Sequence, residues 1–219
     1  LAEKAIEKGA PPWKVKVIRP GVDVKFFQPE ARSRENESCH VATVCRLTWE
    51  KALELGLLVV RKLRSRGVPV VYHVIGDGPS RTALRSWAAR LNLGDTVQWH
   101  GALAIEDVRT VLSGCDVYLH PSVSESFGVA VVEAMAMGIP VVASKVEGIP
   151  EIVEHDKTGY LLEFGDMEGM AEAIDRIWRT PEVRLRMATE ARQQAVDKFG
   201  IEREVKEWVE LYYSVSSQD

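Results

Sequence analysis

The sequence predicts an α/β fold: a mostly parallel sheet with helices on both faces. Three observations predict it. From His40 onward, short apolar runs alternate with segments long enough to be helices, the rhythm of βαβ units. The runs themselves, such as HVATVC at 40–45 and VVYHVI at 70–75, are continuously apolar, as strands covered on both faces should be. Breaks carrying Gly and Pro, such as GDGPS at 76–80, separate strand from helix.

Taken in order, LAEKAIEKGA at the start reads as the tail of a helix. It opens on Leu1 rather than Met, which leads us to expect a piece of a longer chain. Lys14 to Ile18 alternates as a short strand would, and Pro20-Gly21 makes a turn. The polar stretch from Glu30 to Ser38 is expected to be a linker at a domain boundary. The expected organisation is therefore an entry segment over 1–38, a ligand-binding domain over 39–198 and a terminal helix over 199–219. Within the domain the predicted strands are His40 to Cys45, Val70 to Ile75, Val97 to Trp99, Asp116 to Leu119, Val141 to Ala143 and Tyr160 to Leu162. The predicted helices run from Ala52 to Ser65, Arg81 to Leu91, Glu106 to Leu112, Phe127 to Met137, Met167 to Trp178, Glu182 to Lys198 and Glu202 to Tyr213. In such sheets ligands bind outside the carboxyl ends of the strands. The candidate walls are then the loops 46–51, 76–80, 100–104, 121–126 and 144–150.

Composition narrows the function classes. The 219 residues are 46% hydrophobic and 27% charged, with a net charge of −4. That balance suits a globular protein and gives no nucleic-acid footprint. The three cysteines, Cys39, Cys45 and Cys115, form no CxxC pair, so buried thiols in a reducing cytosol are expected. No apolar run is long enough to span a membrane. His73, His100 and His120 show no metal-ligand spacing.

The most informative stretch is PSVSESFGVAVVEAMAMGIPVVAS at 121–144. Its helix is apolar on nearly every face yet contains Glu133, and Glu125 stands just before it. Burying a lone carboxylate costs several kcal/mol, so the acid is expected to face a polar ligand or a partner. The N-terminus of the same helix suits an anion such as phosphate. Arg46 and Lys51, five apart in a strand-end loop, can converge on a diphosphate. Two carboxylates can also form a glycosidase pair, and Glu133 can serve a buried Arg or a backbone nest. Gly76-Asp77-Gly78 lacks the third glycine of a dinucleotide fingerprint, because position 81 is Arg81, and a tight turn is the plainer reading. Ser122, Ser124 and Ser126 lack a nucleophile elbow. The scattered tryptophans read mostly as packing residues.

The runs VIRPGVDVKFFQP (17–29), CRLTWEKA (45–52), VIGDGP (74–79), WHGAL (99–103), DVYLHPSVSESFGVAVVEAMAMGIPVVAS (116–144) and GIPEIVEHDKTGYLLEFGD (148–166) occur in this order. Together they resemble the carboxyl-terminal half of family 4 glycosyltransferases. The resemblance implies a Rossmann-like three-layer sandwich, one half of a GT-B fold. It implies a retaining, metal-independent transferase that moves a sugar from a UDP- or GDP-linked donor to an acceptor hydroxyl, with no cofactor besides the nucleotide-sugar. It implies a cytoplasmic setting and a partner in an N-terminal acceptor-binding domain of the same longer chain, through which alone a membrane would be met. This chain by itself would then bind donor without turnover.

By position, the resemblance makes Arg46, Lys51, Gly128 and Val129 the diphosphate ligands. Glu125 and Phe127, the latter through its backbone, would meet the donor sugar, with Glu125 also the catalytic candidate. Glu133 would hold the ribose, and Trp99 and His100 the base. The last helix would pack back on the other domain. The family usually has Gly where Cys45 and Ala52 stand, which bears on the shape of the phosphate loop. The same residues are compatible with a non-catalytic nucleotide-sugar-binding subunit, or with another GT-B enzyme such as a sugar-nucleotide epimerase.

Overall fold

Six parallel strands form one sheet in a computed structural model that describes residues 2–30 and 37–216. They are β1 (Cys39–Val44), β2 (Val70–Ile75), β3 (Val97–Gly101), β4 (Val117–His120), β5 (Val141–Ser144) and β6 (Gly159–Leu162), in the order 3-2-1-4-5-6. Consecutive side chains go to opposite faces of a strand, and here both faces are apolar. Val41, Val117, Leu119 and Val142 enter one core; Ala42, Tyr118, Val141 and Ala143 enter the other. This is why the strands read as unbroken apolar runs.

Helices cover both faces. The first core is closed by α2 (Leu53–Ser65), α3 (Arg81–Arg90) and α7 (Met167–Arg179). The second is closed by α4 (Ile105–Ser113), α5 (Val129–Ala136), α6 (Ile149–Ile152) and α8 (Pro181–Phe199). In α2, Leu53, Leu57, Val60 and Leu63 recur every three to four residues and are all buried, the stripe expected of a helix lying on a sheet. The first described helix is α1 (Ala2–Glu7) and the last is α9 (Ile201–Ser216), whose side chains all stay at least partly exposed. Among the described residues no helix is long and apolar enough to cross a membrane.

One expectation is corrected before β1. Lys14 to Ile18 is not a strand: a 3-10 turn spans Pro12–Lys14, and residues 15–20 have no regular structure. A strand needs a neighbour, and this segment reaches neither edge of the sheet; Val22 makes one isolated bridge, to Gly200. Residues 22–27 pack into the fold: Val22, Val24 and Phe27 belong to the second core. Arg192 Nη1 fixes the segment by donating to the carbonyls of Val24 (2.8 Å), Phe27 (2.7 Å) and Ala136 (2.6 Å). Most of the expected linker, 31–36, lies outside the described residues.

Ala52 has a left-handed backbone, with φ 45° and ψ 43°. It ends the 3-10 turn Trp49–Lys51 and caps α2, so the chain must reverse there. This is a position where the family usually has Gly, and the Cβ of Ala52 is strained in that region.

A row of three imidazoles crosses the sheet. His40 Nδ1 lies 2.9 Å from His73 Nε2, and His73 Nδ1 lies 3.1 Å from His100 Nε2. Burial, then the neighbouring His40 and His100, push the His73 ring down from 6.5 to about 4. It is neutral in the fold and must gain a proton when the chain unfolds in acid.

Two outcomes follow. Ala52→Gly should raise stability by roughly 0.5–1 kcal/mol, read as a higher urea midpoint with unchanged slope. The unfolded chain binds more protons at His73 than the folded one between pH 6.5 and 4. Stability should therefore fall as pH is lowered through that window, by roughly 3 kcal/mol at most from this group. In thermal melts, His73→Asn should show a shallower loss than the parent; equal slopes would remove His73 as the cause.

Candidate functional site

The strand order reverses between β1 and β4, so the loops that leave them diverge and open a crevice at the carboxyl edge. The loop after β1 carries Arg46 and Lys51. The loop after β4 carries Glu125 and leads into α5. Backbone bonds tie the walls together: Val123 N–H donates to Glu50 O at 2.8 Å, and Gly148 N–H donates to Glu125 O at 3.1 Å. On the other side, Leu47 N–H donates to Asp77 O at 2.9 Å. Gly76 permits this close approach, since a Cβ there would sit 1.9 Å from Cys45 O. The glycines of the 76–79 turn therefore serve packing between loops.

Lys51 Nζ donates to Glu125 Oε2 at 2.7 Å, and both side chains are largely enclosed. Sequence reasoning named each residue for a separate ligand group; the structure brings them into direct contact. Behind the pair, at the end of β4, His120 is 3% exposed and stacks on Tyr118. Its Nε2 lies 3.5 Å from Glu125 Oε2, yet neither ring nitrogen has a hydrogen-bond partner among the described residues. Burial pushes His120 down to about 4, with Glu125 opposing and Lys51 assisting, so the ring is neutral. The Arg46 side chain is exposed and has no ion pair or hydrogen bond among the described residues, with the Glu50 carboxylate near enough to feel its charge.

α5 starts at Val129 rather than at the expected Phe127, because Gly128 takes φ 102°. Gly128 stands where a capping Ser or Asp would usually accept from the first turn, and no side chain caps this helix. Its first N–H groups and positive dipole end are thus turned to the crevice. The Phe127 ring packs edge-on against Phe199 at 5.7 Å, leaving its backbone for the crevice.

One turn along, Glu133 lines a groove of about 420 Å³ with Arg46, Cys45, Val129, Gly76, Asp77 and Leu103 among its neighbours. Burial raises the Glu133 carboxyl above its ordinary value. No Lys or Arg pairs with it among the described residues, which removes the reading of a carboxylate serving a buried Arg. Burial also pushes the Cys45 thiol up to about 12, so it lines the groove as a neutral group.

The groove gathers Arg46, Val129 and Glu133, and Lys51 with Glu125 lies alongside across the same loops. Trp99 and His100 do not line it. Trp99 points to the opposite face of the sheet, where it packs on the first core and under Arg85 at 5.8 Å. His100 is engaged with His73. The wall at this edge is made by Ala102 and Leu103, just after β3, with Ile75 and Val108 beneath. The alternation of strand side chains could have identified Trp99 as facing away, had the length of β3 been legible. His120 carried no motif; only its place beside Pro121 hinted at the site.

The sequence was compared with known proteins. The family profile described as Glycosyl transferases group 1 matches residues 24–194. The putative colanic acid biosynthesis glycosyltransferase WcaL of Escherichia coli (strain K12) is 36% identical over 172 residues, covering 76% of this chain and 42% of that protein. The N-acetyl-alpha-D-glucosaminyl L-malate synthase of Bacillus anthracis is 34% identical over 146 residues, covering 67% of this chain and 38% of that protein. The chain thus spans less than half the length of these two relatives. Among solved structures, Anabaena Alr3699/HepE in complex with UDP-glucose superposes with a TM-score of 0.87 at 25% identity, over 97% of this chain and 61% of that one. The six-stranded parallel sheet, the crevice at its switch point and the profile match over most of its length agree: this chain belongs to the glycosyl transferases group 1 family.

Proposed function

We propose that this chain is the donor-binding half of a retaining glycosyltransferase that takes a UDP-linked sugar as its donor. The observation that carries the reading is the convergence of Arg46, the uncapped start of α5 and the unpaired carboxylate of Glu133 on one groove. A nucleoside diphosphate offers matching groups in that order: phosphates for the cation and the helix N-terminus, ribose hydroxyls for the carboxylate. The structural neighbour solved with UDP-glucose supports uridine as the base. In this reading the base lies against Ala102 and Leu103 rather than Trp99 and His100.

The chemistry follows from where charge develops. The bond between the anomeric carbon and the diphosphate oxygen breaks, leaving positive charge on the sugar and negative charge on the diphosphate. Arg46, Lys51 and the N–H groups of Gly128 and Val129 stabilise the leaving charge, the N–H groups from fixed positions. The acceptor oxygen bonds to the anomeric carbon on the face the diphosphate leaves, and the acceptor proton passes to the departing phosphate oxygen. Glu125 accepts hydrogen bonds from the sugar hydroxyls and orients the ring, which the backbone at Phe127 flanks. A second domain would bring the acceptor and exclude water on closing. The exposed apolar face of α9, with Val205, Trp208, Val209 and Tyr212, suits a partner of that kind. Without that domain the chain would bind donor but not transfer sugar.

Titration calorimetry of the chain with UDP, GDP and their sugars tests the reading. Saturable heat with the uridine compounds is expected; no heat with any of them on folded protein would sink it. Arg46→Ala should weaken UDP about tenfold and leave uridine within twofold, in line with a lost charge-assisted contact of about 1.5 kcal/mol. An equal loss for both would take Arg46 out of the phosphate role. Glu133→Ala should remove the preference for UDP over 2′-deoxy-UDP, whereas an unchanged preference would take Glu133 out of the ribose role.

A further inference from the structure

We propose that His120 is a positioning residue that takes over the Glu125 carboxylate when a bound diphosphate draws Lys51 away. The proposal rests on the donor-site reading above and extends it to a residue that reading leaves idle.

Glu125 Oε2 is held by Lys51 Nζ at 2.7 Å. The same Lys51 is one of only two cations that the loop offers to the crevice, beside the exposed Arg46. A diphosphate carries more negative charge than a carboxylate and would compete for the ammonium. Once Lys51 turns to it, Glu125 remains as an enclosed carboxylate without its cation. Such a group needs another donor to keep its geometry.

His120 is built for that exchange. It sits at the end of β4, where all four strand residues are buried, so the sheet rather than a loop fixes its position. Its Nε2 is already 3.5 Å from Glu125 Oε2, and a shift of roughly 0.6 Å would make a normal hydrogen bond. Neither ring nitrogen has any other partner among the described residues. A buried donor left unmade costs about 1–3 kcal/mol, and interior histidines ordinarily avoid it. The contrast lies within this protein: His73, also buried, is bonded at both ring nitrogens. A structural histidine would look like His73, whereas His120 holds an unused N–H against the one carboxylate that is due to lose its cation. Because the ring is neutral, it supplies a donor without adding a charge, and Glu125 stays ionised to accept the sugar hydroxyls. The diphosphate therefore switches Glu125 from a salt bridge to a hydrogen bond that leaves it free for the sugar.

The test compares the parent protein, full length where the second domain is available, with His120→Phe and His120→Asn. Each is titrated with UDP-glucose, UDP-N-acetylglucosamine and GDP-mannose and with UDP and GDP. Phenylalanine keeps the ring and removes the N–H; asparagine restores a donor. For the sugar nucleotide that the parent binds, and for its diphosphate alike, His120→Phe should lose about tenfold in affinity, and His120→Asn should recover most of the loss. A purely structural role would leave His120→Asn as weak as His120→Phe, and that result, or no loss for the diphosphate, would overturn the proposal. The parent itself gives a second measurement that needs no variant: with 15N-labelled histidine, the His120 Nε2 resonance should move to a hydrogen-bonded position on adding UDP, and an unmoved resonance would also overturn it. A parent that binds none of the five compounds would defeat the donor-site reading first, and this inference with it.

Discussion

The reversal of strand order between β1 and β4 is the constraint on which the site depends. Two adjacent parallel strands whose connections leave in opposite directions cannot close the gap above them with their own loops. The gap is therefore available to a ligand, and Arg46, Lys51 and Glu125 reach it from the flanking loops and Glu133 from α5. The rest of the fold holds those loops still. The apolar strands and the two cores fix the sheet, Arg192 ties the 22–27 segment to the end of α5, and the glycines of the 76–79 turn let the loops after β1 and β2 lie in contact. α5 is pinned by its burial, so its start has a fixed aim. An anion site made from backbone N–H groups works only if the helix that supplies them does not move.

Much of this was legible in the sequence, for a physical reason. Parallel strands covered on both sides leave unbroken apolar runs, so β1, β2, β4 and β5 could be read within a residue or two. Glu133 was legible because a charge in a buried apolar helix conflicts with packing, and conflicts of that kind mark function. What was not legible depended on direction and partnership. Lys14 to Ile18 has the alternation of a strand, but alternation says nothing about whether a sheet edge is within reach. Trp99 was placed near the ligand by its position in the chain, yet the side of the sheet it faces depends on register. The contact between Lys51 and Glu125 joins residues 74 apart, and no local pattern encodes it. His120 could be read only as a neighbour of Pro121 near the site, because its distinguishing property, the lack of a hydrogen-bond partner among the described residues, exists only in three dimensions.

The position of Ala52 shows how local cost is tolerated beside a site. The turn after Lys51 must pass through left-handed backbone to start α2, and this chain does so with an alanine. The strain is of order 1 kcal/mol, small against the burial of Leu53, Leu57 and Leu63 directly behind it. The core thus keeps the loop in a shape that the loop's own sequence does not favour. A stiffer residue there also narrows what the loop can do when empty, which matters for a segment carrying both cations.

The pairing of Lys51 with Glu125 also bears on how an anion would arrive. Seen from solvent, that pair is a small dipole whose field fades within a few ångströms. Arg46 is exposed and makes no ion pair among the described residues, so it is the charge of this loop that an approaching dianion would feel first. Capture and retention would then be divided between two cations of the same loop. Arg46 would set the rate of encounter, with a dependence on ionic strength, while Lys51 would act only after contact and so chiefly slow the departure.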